Sequence, residues 1–272
     1  MNKFKKMNYL MMKEIHNSEQ MGSQMMNYAS LYVFGQKTGH DVGFHENTLQ
    51  GKTPTTLITD TFDYPFTYLN DYDETIYIGQ YPYLEMNNLN KNKTYYIHGL
   101  FNHAVSLLSK ELESVFNFYN FKHDIIKEAK KQINYFKQKN KKITSVHFRR
   151  TDYVRIGAAL SLDYYKNALK YFNTDDVFLV FSDDIEWCKS KKDEVFQNKQ
   201  AIFIENNKQN IDMCMISLCD NNLLSNSTYS LWGGILNKNK SAKIISSKTS
   251  PGGCDLSVCF KNWTCIDSTL ER

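Results

Sequence analysis

The stretch His147-Phe148-Arg149-Arg150-Thr151-Asp152-Tyr153 concentrates chemistry that the rest of the chain withholds. Of 33 Lys and Arg residues only four are arginines (Arg149, Arg150, Arg155 and Arg272), and two of them are adjacent here. Lysine would serve solubility equally well. Arginine is needed where a planar, permanently charged fork must grip a branched anion through two hydrogen bonds at once. The expectation is an anion site in which Arg149 and Arg150 hold a diphosphate and offset the charge that builds on it as it departs. The plainer alternative is a structural arginine–carboxylate pair, with Asp152 as the obvious partner. His147 is equally a ligand contact or a satisfied core group beside a strand.

Two further polar clusters follow. In "SNSTYSLWGG", Asn226, Ser227, Thr228 and Ser230 fall where a short apolar run gives way to a helical pattern. Hydroxyls and backbone N–H groups at a helix start suit an anion, and a plain N-cap is the competing reading. In "FSDD", Ser182, Asp183 and Asp184 precede a helical "IEWC". Paired carboxylates can hold a divalent metal or cap that helix. Because the arginines already supply positive charge, hydrogen bonding to a nucleoside or to the loop itself is favoured over a metal.

The elements that must position these clusters show a simple rhythm. Short β-rich runs occur at 143–148, 177–181, 201–204, 222–225 and 243–246, with helix-length patterns between them. That alternation indicates parallel βαβ units, and runs apolar on both faces suit a sheet covered by helices. All three polar clusters then sit at C-terminal strand ends, the edge where open α/β sheets bind ligands. The N-terminal half is less regular. "NYLMMKEI", "VGF", "TIYIG" and "YYIHG" read as strands. A loop through Gly22, Ser23 and Gln24 leads into a helix that Gly39 ends, with further helices around 103–118 and 124–138. A Lys-rich segment ending at Lys142 places a domain boundary near residue 140, giving lobes at 1–140 and 141–272 with a cleft between them.

Composition bounds the function classes. A length of 272 residues fits one large domain or two small ones, and 14% aromatics permit a sizeable core. A net charge of +4 fits an enzyme of anionic substrates or weak membrane-surface contact and is too small to argue for nucleic acid. A basic nucleic-acid binder using the lysines of 137–142 is the rival outside enzymes; those lysines read better as a solvated helix end, and the aromatics lack a stacking motif. The apolar run "MNYLMM" is too short for a signal peptide or a membrane span, so a cytoplasmic protein, resting at most on a membrane surface, is expected. The six cysteines read as reduced thiols. Zinc is disfavoured because no C-x-x-C occurs, and "PGGCDLSVC" is the one stretch that keeps that reading alive.

His147-x-Arg149-Arg150-x-Asp152-Tyr153, followed by "LSLDYYKNAL", "FLVFSDDIEWC" and "DMCMISLCDNNLLSNSTYSLWGG", resembles glycosyltransferase family 11, the α-1,2-fucosyltransferases. Four motifs agree in order and approximate spacing from about residue 147 to 236, and "KNWTCID" resembles the family's closing segment. The opening "MGSQMMNYASLYVFGQKTGHDV" is similar more loosely: Ser23 stands for the usual Asn, the leading Gly pair is replaced around Ser18-Glu19, and "GLFNH" alters another loop. The resemblance implies two Rossmann-like α/β lobes of the GT-B type with the active site in the interlobe cleft. It implies an N-terminal acceptor-side lobe, a C-terminal GDP-sugar lobe, and GDP-β-L-fucose as donor without a required metal or other cofactor. It further implies inversion to an α-fucoside on the 2-hydroxyl of a terminal galactose in a surface glycan; another GDP-sugar or linkage is the alternative. Carried onto this chain, Arg149 and Arg150 hold the diphosphate, and Arg150 stabilises departing GDP. His147, Ser182, Asp183, Asp184, Asn226, Ser227, Thr228 and Ser230 contact the nucleotide, and Gly22 and Gln24 come from the glycine-rich opening. Asp152 is a candidate base unless it braces an arginine.

Overall fold

The computed structural model describes residues 8–12, 20–45, 57–77, 88–98, 105, 109–137, 141–250 and 253–271. Two compact units divide the chain, Met1–Asn120 and Phe121–Arg272. Each is an α/β layer built on a parallel sheet, the expected architecture.

In the first unit the strands are β1 (Tyr9–Met12), β2 (Asp41–His45), β3 (Tyr68–Leu69), β4 (Glu74–Tyr77) and β5 (Tyr95–His98), ordered β3-β2-β1-β5-β4 with every pair parallel. The long helix α1 (Met21–Thr38) connects β1 to β2. It starts earlier than the sequence suggests, so Gly22, Ser23 and Gln24 lie in its first turn and not in a loop. Gly39 does end it, at φ 75°, with the cap N–H returning to the Gly35 carbonyl. Tyr28, 1% exposed, anchors an aromatic core with Phe44, Phe66 and Phe118 at centroid distances of 5.0, 5.0 and 5.8 Å. Short helices α2 (Ile58–Thr61) and α3 (Leu112–Val115) and a 3₁₀ turn (Phe116–Phe118) complete the described part. Ser18, Glu19 and "GLFNH" lie outside the described residues.

The second unit begins with helix α4 (His123–Phe136), ahead of the boundary expected near residue 140. The reason is packing. Ile125, Ala129 and Ile133 recur at one-turn spacing and bury in one cluster with Ile143, Leu179 and Phe181 of the sheet and Cys214, Met215 and Ile216 of a later helix. The Lys-rich run therefore trails a helix that already belongs to this lobe.

Its remaining elements alternate: β6 (Ile143–Phe148), α5 (Thr151–Arg155), α6 (Leu162–Leu169), β7 (Val177–Ser182), α7 (Ile185–Ser190), α8 (Lys192–Phe196), β8 (Gln200–Phe203), α9 (Gln209–Leu218), β9 (Asn221–Leu223), α10 (Thr228–Ile235), β10 (Ile244–Ser247), α11 (Leu256–Cys259) and β11 (Thr264–Ile266). The sheet order is β11-β10-β9-β6-β7-β8, all parallel. β11, within "KNWTCID", is a strand the apolar pattern did not reveal. Side chains of β7 alternate as the pleat requires: Phe178 and Val180 face the α6 and α8 side, Val177, Leu179 and Phe181 the α4 and α9 side. β6 is buried at all six positions.

The chain runs from β6 outward to β7 and β8, then returns to place β9 on the other side of β6. Two buried side-chain pairs mark that return: Asn222 Nδ2 donates to Ser145 Oγ at 2.8 Å, and Asn221 Nδ2 to Thr144 Oγ1 at 3.3 Å. The strand order reverses between β6 and β9, which is where an open α/β sheet forms its ligand crevice.

Candidate functional site

The clusters singled out from sequence meet at this reversal. His147 is the penultimate residue of β6 and is 6% exposed; its Nδ1 lies 2.9 Å from Ser225 Oγ, just past β9, and its ring sits 5.4 Å from that of Tyr229. Burial pushes the imidazole down to about 4 against the opposing pull of Asp183, and the Arg149 guanidinium adds to the depression. His147 is thus a neutral, satisfied group that ties β6 to the β9 loop.

Arg149 and Arg150 are engaged differently. Arg149 reaches Asp152 through Nη2 at 2.8 Å and Asp183 through Nη1 at 3.0 Å. Asp152 therefore braces an arginine, as the plainer sequence reading had it. Asp183 holds the loop together: its Oδ1 accepts from the Arg150 backbone N–H at 2.8 Å and its Oδ2 from Thr151 Oγ1 at 2.5 Å. Asp184 caps α7, accepting from the Trp187 N–H at 3.3 Å, while Ser182 Oγ accepts from the Asp184 N–H at 3.0 Å. Of the two readings of "FSDD", helix capping and bonding to the loop are what the geometry displays. Among the described residues no group of three or more His, Cys, Asp or Glu side chains is placed to hold a metal ion.

Arg150 is 6% exposed. Its guanidinium carbon lies 3.4 Å from the centroid of the Trp187 ring, and its Nη1 pairs with Glu271. Its Nε is buried and has no hydrogen-bond partner. The same holds for Asn226 Oδ1, although Asn226 Nδ2 donates to the Ala158 carbonyl at 2.9 Å. A buried unpaired donor and acceptor on one sheet edge are uncommon and call for a physical account.

The start of α10 supplies the third wall. Ser227 is its N-cap residue, 4% exposed, and makes no side-chain cap bond. Ser230, fully buried, accepts from the Ser225 N–H at 3.0 Å, so its hydroxyl shapes the turn. Thr228 opens the helix beside them. Tyr153 Oη donates to the Asn226 carbonyl at 3.3 Å, joining this turn to α5. Gly22 and Gln24 belong to the first unit. There Gln24 is fully buried and its Oε1 accepts from the Ile58 N–H at 3.2 Å, which gives it a structural task in that lobe.

Sequence reasoning missed Trp187 and Glu271. Trp187 carried a readable signal, an aromatic three residues past the helix-capping Asp184. Glu271 carried none, because its contact with Arg150 spans 121 positions.

A family model described as "Glycosyl transferase family 11" matches residues 2–267. Two curated relatives from Escherichia coli are similar in part. An O-antigen biosynthesis glycosyltransferase, WbnK, is 34% identical over 122 residues, covering 40% of this chain and 39% of the relative. An alpha-1,2-colitosyltransferase is 41% identical over 102 residues, covering 34% and 35%. The matched stretch thus spans little more than a third of either relative. Among solved structures, NodZ alpha-1,6-fucosyltransferase soaked with GDP-fucose aligns with TM-score 0.55 and 10% identity, covering 85% of this chain and 93% of that one. At that identity the likeness is one of fold, the two-lobed GT-B class.

Proposed function

The chain belongs to glycosyltransferase family 11, and we propose that it moves L-fucose from GDP-β-L-fucose, with inversion, onto the 2-hydroxyl of a terminal galactose in a surface glycan. The observation that carries this reading is the β6–β9 edge, where Arg150 Nε, beside Arg149, and Asn226 Oδ1, at the start of α10, are buried and unpaired. Such an edge suits a nucleotide diphosphate: the Arg150 fork for the phosphates, a helix start for residual charge, and hydroxyl and amide groups for the nucleoside.

In this reading Arg150 takes the departing diphosphate and Arg149, held by Asp152 and Asp183, adds positive potential beside it. Ser227, Thr228 and Asn226 contact the donor directly. His147, Ser182, Asp183, Asp184 and Ser230 act from behind, fixing the loops that carry those groups. No metal is required. Asp152 would have to leave Arg149 to serve as base for the acceptor hydroxyl, and Gly22 and Gln24 act by shaping the first lobe. No helix among the described residues is long and apolar enough to cross a membrane. The O-antigen relative supports work on a surface glycan; a cytoplasmic location with at most peripheral membrane contact belongs to the same proposal.

A second reading keeps the reaction and changes the sugar. The 41% identity of one stretch to an alpha-1,2-colitosyltransferase favours another deoxy-sugar donor, colitose being the one to try. Incubation with GDP-fucose, GDP-colitose and other GDP-sugars against a panel of galactosides separates the two, with methylation analysis fixing the bond made. Transfer of fucose to O-2 is the expected result. Transfer of colitose alone moves the donor assignment, and no transfer or donor hydrolysis with any GDP-sugar overturns the proposal.

A further inference from the structure

Arg150 is held from three directions. Its backbone N–H is tied to Asp183 at 2.8 Å, its guanidinium carbon lies over the Trp187 ring 3.4 Å from the centroid, and its Nη1 meets Glu271. Stacking fixes the plane of a guanidinium and leaves it free to turn within that plane. The carboxylate at Nη1 removes this freedom. Nη1 is the nitrogen on the Cδ side of the group, so Nε–H and Nη2 form the opposite edge. That edge has the donor pattern of a bidentate phosphate grip; its Nε is without a partner and is covered, so a phosphate reaches it only as the atoms over it give way.

Glu271 is itself placed by backbone bonds and not by chance of a flexible tail. Its N–H donates to the Ala159 carbonyl at 2.8 Å, and the Ser161 N–H donates to the Thr269 carbonyl at 2.9 Å. Ser161 Oγ and Thr269 Oγ1 lie 2.6 Å apart, and Leu160 and Leu270 form an antiparallel bridge. This short ladder ties the 269–271 segment to the chain entering α6, whose Tyr164 and Tyr165 are buried against the sheet. The Glu271 side chain is 36% exposed and that of Arg150 only 8%. The open carboxylate is the partner of a buried guanidinium, so the pair both offsets the Arg150 charge and fixes where its fork points.

We propose that Glu271 is a positioning residue: it locks the Arg150 guanidinium so that the Nε edge faces the donor diphosphate. The proposal rests on the GDP-sugar reading of this edge. It assigns Glu271 no contact with substrate, only the orientation of the group that makes one.

Two conservative variants separate geometry from charge. Glu271→Gln keeps the reach and an acceptor oxygen and loses the charge; Glu271→Asp keeps the charge and withdraws it by one methylene. Turnover with the GDP-sugar that the wild type uses, calorimetric GDP binding and circular-dichroism melts are measured for all three proteins. Misplacement of a reacting group by about 1 Å costs up to about 10²-fold, so Glu271→Asp should lower kcat roughly 10–100-fold while GDP affinity changes by less than about 3-fold. Glu271→Gln should stay within roughly 5-fold of wild type, since its oxygen still meets Nη1. Selective ¹⁵Nε labelling of arginine gives four side-chain signals in this chain; that of Arg150 should shift on GDP addition to wild type and broaden in Glu271→Asp. The reverse order, with Asp tolerated and Gln damaging, overturns positioning in favour of simple charge. Wild-type turnover in both variants overturns it as well, and tighter GDP binding in either marks Glu271 as a competitor for the fork. A wild type that neither binds GDP nor uses any GDP-sugar defeats the functional reading instead, and is read before the variants.

Discussion

The two adjacent arginines do different work although the chain spells them identically. Arg149 is held by Asp152 and Asp183, whereas Arg150 lies over Trp187 and keeps an unpaired Nε. Arg150→Lys keeps the charge and loses the planar fork. If the fork grips diphosphate as it departs, the lost contact belongs to the transition state, and kcat should fall roughly 10²–10³-fold with a smaller change in GDP affinity. Near-normal turnover in a folded Arg150→Lys protein would sink the arginine-clamp idea. Asp183 leads to a second outcome. Both its oxygens are committed to Arg149, Thr151 and the Arg150 N–H, so serving a metal would cost the loop its internal bonds. Transfer is therefore expected to persist in excess EDTA. Activity abolished by chelation and restored by Mn²⁺ or Mg²⁺ would turn Asp183 and Asp184 into ligands. The arginine pair was legible because arginine is scarce here, so its placement carries information. Glu271 was illegible because an ion pair formed across 121 positions leaves no local pattern.

Elements were legible in proportion to how far local pattern decided them. β6 and β7 stand out as apolar runs since both their faces are covered, and the polar clusters could be placed at strand ends from that alone. The start of α1 was not legible. Its N-cap, Gln20, makes no side-chain cap bond, and Gly22 in the first turn argues locally for a loop; burial of Met21, Met25 and Met26 overrides both. α4 misled for a similar reason, its lobe being decided by three buried side chains and not by the lysines after it. Close packing of α10 on α9 makes a test at this scale. A Cβ added at Gly233 would lie 2.5 Å from Cγ2 of Ile216, whose β-branched side chain has little room to turn; at Gly234 it would meet the more pliable Leu224 Cδ1 at 2.8 Å. Gly233→Ala is expected to destabilise by roughly 1–3 kcal/mol through overpacking. Gly234→Ala should cost less. Thermal and urea unfolding of both variants give the comparison, and equal or absent effects would refute the packing account.

For the whole molecule, two buried ionisable groups pull stability in opposite directions with pH. Burial raises the Asp212 carboxyl from 3.8 to about 7, opposed by its hydrogen bond from Asn207. The folded state then keeps a proton that the unfolded chain has released, so this contribution is lost as pH rises towards 7. His147, lowered from 6.5 to about 4, refuses a proton that the unfolded chain accepts, and its contribution is lost as pH falls through that range. Asp212→Asn removes the first effect. Urea denaturation from pH 4 to pH 7 should show the variant gaining stability with rising pH more steeply than wild type; parallel curves would refute the assignment. The return of the chain to β6 also has a consequence for synthesis. Asn221 and Asn222 meet Thr144 and Ser145 across 77 positions, so β6, β7 and β8 exist as a partial sheet before β9 has been made. At about 5–20 residues per second on the ribosome, one side of β6 stays open for roughly 4–15 s. An apolar strand with unpaired backbone groups is a template for pairing with another chain. A strand fully enclosed in the finished lobe is thus, for those seconds, an open edge on the nascent protein.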